Sequence, residues 1–181
     1  MILLLACVAA PTDTGAPPAP APDTEDTTPP TLCAAWRDRI EVELPWGTGE
    51  VYTRELAGGF GPDTVLVGRV VVPETAQDSH GAYGGAYVAE YDGPATWRDI
   101  RLSRFPCDFR DVDETGEAGP ISAGAGTAAA AFFTVGSTGG PYPALQPGEV
   151  WYVNVRNWNP DTGKPSCARP TCDAVFTVNP P

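Results

Sequence analysis

Of 181 residues, 20 are Gly and 21 are Pro, nearly a quarter of the chain where the usual share is roughly 12 %, and this excludes a mostly helical protein. The net charge of −12 argues against nucleic acid and anionic lipid headgroups as partners, because an acidic surface repels phosphate. A single His leaves little material for acid–base chemistry at neutral pH. The length allows one domain of about 150 residues with a real core.

The chain opens on Met1-Ile2-Leu3-Leu4-Leu5-Ala6-Cys7, too short an apolar run to span a bilayer, which takes roughly 20 residues. It reads as the end of an export signal. Leu4-Leu5-Ala6-Cys7 resembles the lipobox of bacterial lipoproteins. That resemblance implies cleavage before Cys7 and a lipid on its thiol, the chain's only expected membrane contact.

Five cysteines are an odd number for an exported chain, and lipidation of Cys7 leaves four. Cys33, Cys107, Cys167 and Cys172 allow three pairings. The simplest joins Cys167 to Cys172, closing a short loop between two strands, and Cys33 to Cys107, tying the start of the domain to its middle. Such bridges belong to an oxidising compartment such as the periplasm or cell exterior. The alternative for the Cys167-x4-Cys172 spacing is zinc, which needs four ligands, while the one His lies far away in sequence.

From Ala10 to Thr31 the chain has seven prolines, no aromatic residue, and only Asp13, Asp23, Glu25 and Asp26 as charges. Such a composition cannot bury enough apolar surface to offset the entropy of ordering, and its prolines favour an extended conformation. Residues 8–31 are thus expected to be a linker, reaching roughly 70 Å at about 3.1 Å per residue.

Residues 32–181 read as strands. Arg39-Ile40-Glu41-Val42-Glu43-Leu44 alternates with period two, placing Ile40, Val42 and Leu44 on one buried face. Strands are also expected over Val51–Leu56, Thr64–Val72, Ala86–Tyr91, Thr96–Ser103, Ala130–Val135, Val150–Arg156 and Ala174–Val178, each bounded by Gly, Pro, Asn or Asp. A brief helical turn is expected near Ala128–Ala131. Eight short strands separated by turn signals predict a single antiparallel β-sandwich.

Leu145-Gln146-Pro147-Gly148-Glu149-Val150-Trp151-Tyr152-Val153-Asn154-Val155-Arg156 resembles the approach to strand F of fibronectin type III-like domains, where a Leu-x-Pro-Gly corner precedes an aromatic residue and alternating valines. The resemblance implies an Ig-like sandwich, fibronectin III-like or jelly-roll in topology. Trp151 occupies the position of the corner aromatic and Tyr152 follows it. The same pattern resembles the C-terminal sandwich domains appended to secreted bacterial peptidases.

Two loops carry candidate sites. Asp111-Val112-Asp113-Glu114-Thr115-Gly116-Glu117 places oxygen donors at Asp111, Asp113 and Thr115 ahead of a glycine, like the first half of a calcium loop. Glu117 and Asp108 would complete a calcium site there, and a solvated acidic loop is the alternative. Asn157-Trp158-Asn159-Pro160-Asp161-Thr162-Gly163 follows the strand expected to end at Arg156, so Trp158 is expected to stand exposed beside Asn157, Asn159 and Asp161. An aromatic face flanked by amides and a carboxylate suits a sugar ring. Trp46 and Tyr83 are expected to add to that surface, while in the alternative Trp158 covers the Cys167 to Cys172 bridge or plugs the loop.

Asp78-Ser79-His80 holds three triad residue types, but neighbours in sequence cannot align nucleophile, base and orienter. Neither Ser122 nor Ser137 lies in a G-x-S-x-G elbow. The chain is therefore expected to be a non-enzyme, with no cofactor beyond possible calcium. It reads as a secreted or lipid-anchored bacterial envelope protein whose sandwich binds a glycan or another envelope protein. A structural envelope component without a small ligand is the second reading, and a hydrolase or hydrolase accessory domain the third.

Overall fold

A computed structural model describes residues 32–46, 51–57, 59–90, 96–113, 115–136, 141–167 and 170–181. The apolar start, Cys7 and the proline-rich segment lie outside the described residues. Leu32–Ala35 form a 3₁₀ turn, followed by β1 (Asp38–Leu44), β2 (Tyr52–Leu56), β3 (Thr64–Val71), β4 (Gly84–Glu90), β5 (Arg98–Ser103) and β6 (Ser122–Gly126). The later strands are β7 (Ala129–Val135), β8 (Ala144–Leu145), β9 (Val150–Asn159), β10 (Lys164–Pro165) and β11 (Ala174–Asn179).

The strands form two sheets. The first runs β1-β3-β9-β5-β6, with β10 added to β9, and the second runs β2-β11-β4-β7-β8. Their facing sides share one core, to which Val42, Ile100 and Val153 contribute from the first sheet and Val88, Phe133 and Phe176 from the second. Burying each of these side chains is worth roughly 1.5–3 kcal/mol relative to exposure. In β1 the alternation has the expected result: Val42 and Leu44 are buried while Arg39, Glu41 and Glu43 face solvent. Charges on this edge strand also discourage pairing with another chain.

The all-β sandwich holds, with corrections to the count and to the pairing. Eleven strands rather than eight are present among the described residues, because β8 and β10 are two-residue pairings with no periodic signal. The third, β6, is Ser-Ala-Gly-Ala-Gly, whose small side chains leave no apolar alternation to read. The sheets are mixed rather than purely antiparallel: β1 pairs parallel to β3, and β7 parallel to β8. The first of these pairs arises because the chain crosses to the second sheet as β2 before returning as β3. Instead of a helical turn, Ala129 opens β7, whose Ala129, Ala131, Phe133 and Val135 point into the core.

At the corner between β6 and β7 the sheets approach each other so closely that a Cβ on Gly124 would overlap the Ala130 carbonyl oxygen. Only glycine fits there. The outward side of the first sheet is covered by a strap. Cys33 in the 3₁₀ turn is joined to Cys107, and the two cysteines, Leu32, Trp36 and Phe109 pack with Val65, Val67 and Tyr152 into a second small core.

Candidate binding surface

The corner from Leu145 to Glu149 is built around the Glu149 carboxylate. Glu149 N–H donates to the Gln146 carbonyl, and Gly148, at φ 83°, donates to Val72 O. The Glu149 carboxylate in turn accepts from Gln146 N–H at 2.8 Å, from the Trp151 indole at 2.9 Å, and from Arg104. Arg104 also lies 4.6 Å over the Trp151 ring. Burial pushes the Glu149 carboxyl up, but these donors outweigh it and hold it below the usual range.

Of the five residues read as a calcium site, Asp108, Asp113 and Thr115 are engaged in side-chain hydrogen bonds of their own. Asp108 is fully buried and accepts from Ser103 Oγ at 2.5 Å and from Arg110 Nε and Nη2 at 2.8 and 2.9 Å. Asp113 accepts from Thr115 N–H and Oγ1 and from Ala118 N–H, capping its own turn while Glu117 N–H bonds to Thr115 Oγ1. Asp111 and Glu117 are exposed. Among the described residues no three His, Cys, Asp or Glu are placed to hold a metal ion. The same spacing also suits a carboxylate-capped turn, and Asp113 caps one here.

Asp108 and Glu149 make stability acid-sensitive. Burial pushes Asp108 up, yet the hydrogen bonds from Arg110 and Ser103 leave it below the usual range. A depressed carboxylate stabilises in full above its unfolded pKa of roughly 4, and this is lost as pH falls through the lower folded value. The melting temperature is therefore expected to fall below about pH 4, less steeply in Asp108→Asn than in the parent. Identical acid slopes in melts from pH 7 to 2.5 would contradict this role for Asp108.

Trp158, Trp46 and Tyr83 do not form one surface. Strand β9 continues to Asn159, so Trp158 stays within the strand, outward like Arg156, whose guanidinium lies 4.5 Å over its ring. Alternation turns Asn157 inward. It is 1 % exposed, and its amide donates to Phe60 O and Gly61 O. Asn159 Oδ1 accepts from Asp161 N–H and, at 3.4 Å, from Thr162 N–H, closing the turn into β10. Trp46 packs against the main core with its ring 6.1 Å from Phe133. Cys167 and Cys172 are joined.

Tyr83 belongs instead to a group of rings on the outward side of the second sheet. Its centroid lies 5.6 Å from Phe132 and 4.9 Å from Tyr142; Phe132 lies 5.1 Å from Tyr142 and 5.6 Å from Tyr87. The register explains the cluster, since Tyr87 pairs with Ala130 and Gly85 with Phe132 across β4 and β7. Because Ala86, Val88, Ala131 and Phe133 face the core, their neighbours in sequence face outward. The outward positions of β11, β4 and β7 are Val175, Thr177, Asn179, Gly85, Tyr87, Ala89, Ala130, Phe132 and Thr134, and none is charged.

A groove of about 330 Å³ on the first sheet offers less. Its arginines are ion-paired, Arg39 to Glu41 at 2.5 Å and Arg69 to Glu43 at 3.0 Å. Sequence reasoning singled out Tyr83 and missed Tyr87, Phe132 and Tyr142. The available signal was parity: within the expected strands, Tyr87 and Phe132 alternate with the core residues Val88 and Phe133.

No family model matches the chain, and no curated protein matches it. Two solved structures are similar to it. The pre-peptidase C-terminal domain of collagenase from Bacillus anthracis shares 12 % identity over 78 % of this chain and 92 % of its own, with a TM-score of 0.38. Aeromonas hydrophila PliG, a periplasmic lysozyme inhibitor of g-type lysozyme, shares 12 % identity over 78 % of this chain and 97 % of its own, with a TM-score of 0.43. At this level neither likeness carries a functional assignment.

Proposed function

We propose that the protein is an exported, non-catalytic binding module of the bacterial cell envelope, and that it docks through the four-ring face of the second sheet. Tyr83, Tyr87, Phe132 and Tyr142 beside the uncharged outward positions of β11, β4 and β7, in a chain of net charge −12, are the observation that carries this reading. Tyr83 is 51 % exposed, and tyrosine is among the residues that dominate binding energy at interfaces. Two disulfides support export to an oxidising compartment. Lipidated Cys7 would anchor the domain, and residues 8–31 would hold it away from the membrane.

Fluorescently labelled protein is expected to bind washed bacterial envelopes. The Tyr83→Ala/Tyr142→Ala double variant should bind at least about tenfold more weakly, corresponding to roughly 1.4 kcal/mol, while Trp158→Ala binds like the parent. Equal binding by the double variant, with its fold intact by circular dichroism, would remove the docking surface. Absence of binding by the parent would leave a structural envelope component as the better reading.

A further inference from the structure

Resting on that docking surface, we infer the class of ligand it takes: a neutral, equatorially linked pyranose chain stacked on the tyrosine rings. The geometry of Tyr87 is the first reason. A Cβ at Gly85 would lie 2.7–2.9 Å from the hydroxyl and ring atoms of Tyr87. The phenol therefore lies back along β4 over Gly85, with a ring face rather than an edge toward solvent. Phe132 meets Tyr83 and Tyr87 nearly at right angles, with interplanar angles of 84° and 81°. It acts as an upright support between two phenols.

The chemistry of the rim is the second reason. A pyranose with equatorial substituents presents axial C–H groups on its faces and hydroxyls around its edge, so it needs an aromatic face beside polar groups that both donate and accept. Three phenols in one cluster supply both. A phenol is protonated at physiological pH and both donates and accepts; burial, with the nearby Tyr83 and Tyr142, raises Tyr87 further above its ordinary value. A purely apolar partner surface would leave these hydroxyls without partners, at a cost of about 1–3 kcal/mol for each one buried.

Charge is the third. The outward positions of β11, β4 and β7 hold no Lys or Arg, and the chain is strongly acidic. No cation at these positions would neutralise a phosphate, sulfate or uronate, exposed Glu55 stands outward on the neighbouring β2, and long-range repulsion disfavours all three. An uncharged polysaccharide carries neither penalty.

Isothermal titration of the full chain with cellohexaose, chitohexaose and an alginate hexamer tests the assignment. At least one neutral hexamer is expected to bind and the alginate hexamer not to bind. Tyr83→Ala and Tyr87→Ala should each weaken binding about tenfold or more, and Tyr87→Phe, which keeps the ring, less than Tyr87→Ala. Failure of both neutral hexamers, preference for alginate, or binding that survives Tyr83→Ala/Tyr87→Ala in a folded protein would overturn it. If both neutral hexamers fail while envelope binding still depends on Tyr83 and Tyr142, the ligand is a protein: the sugar assignment falls and the docking surface stands. If envelope binding ignores these tyrosines, the surface itself falls.

Discussion

Replacing Cys33 and Cys107 together by alanine is expected to destabilise the domain by about 4 kcal/mol, against about 2 kcal/mol for the Cys167→Ala/Cys172→Ala pair. The two bridges close loops of very different length, with sequence separations of 74 and 5, and the entropy removed from the unfolded chain grows with that separation. Packing adds to the contrast. The longer bridge fastens the 3₁₀ turn to the segment after β5, and this strap keeps Val65 and Val67 from solvent. Cys107 holds a left-handed backbone conformation, φ 56°, in which its N–H donates to buried Asn154 Oδ1 at 2.7 Å. The same side chain returns a bond from Nδ2 to Phe105 O at 3.0 Å. Without the bridge, less holds Cys107 in this conformation and Asn154 loses its best partner. At about 2–4 °C per kcal/mol for a domain of this size, the melting temperature should drop by roughly 10 °C. Calorimetry of the two double variants checks the order; an equal or larger loss for the short loop would refute the role given to the strap.

What could be read from the sequence was whatever local periodicity decides. Ile40, Val42 and Leu44 announce an inward face because charged residues alternate with them, and the eight expected strands occur within a few residues of their expected ends. The Leu145–Glu149 turn was also legible, since Pro147 and Gly148 specify it. The acceptor that closes it was not, because a single Glu can close a corner only if Trp151 and Arg104 are brought to it in space. Trp158 lies in a strand rather than a loop because β9 runs three residues past its expected end; pairing with β5 and β10 carries it onward to Asn159. The aromatic face shows the same limit at larger scale. Parity places Tyr87 and Phe132 outward, but that they meet depends on β4 lying beside β7, a pairing of segments more than forty residues apart. The strand β11, which adds uncharged outward positions beside β4, arrives from the far end of the chain.

Changing Asp99 to Asn should destabilise the domain by about 3 kcal/mol, a large effect for one isosteric change. The Asp99 side chain is fully buried, and its oxygens accept from Arg101 Nε at 2.7 Å and from Arg156 Nε and Nη2 at 2.9 and 2.7 Å. Two guanidiniums share one carboxylate in a site mostly closed to water. Burial draws Arg156 below its ordinary value and Asp99 opposes this, while Arg101 adds like-charge repulsion. Removing the negative charge leaves that repulsion uncompensated and forces an amide N–H toward a cation. The damage should spread outward, because Arg156 also lies 4.2 Å over Phe109 of the strap and 4.5 Å over Trp158. Arg156→Met keeps much of the stem that packs between those rings and leaves Asp99 paired to Arg101, so it should cost less than Asp99→Asn. Urea denaturation of the two variants gives the comparison. A loss under about 0.5 kcal/mol for Asp99→Asn would mean that the arginines relax into solvent and that the strap is held by its disulfide and small apolar core alone.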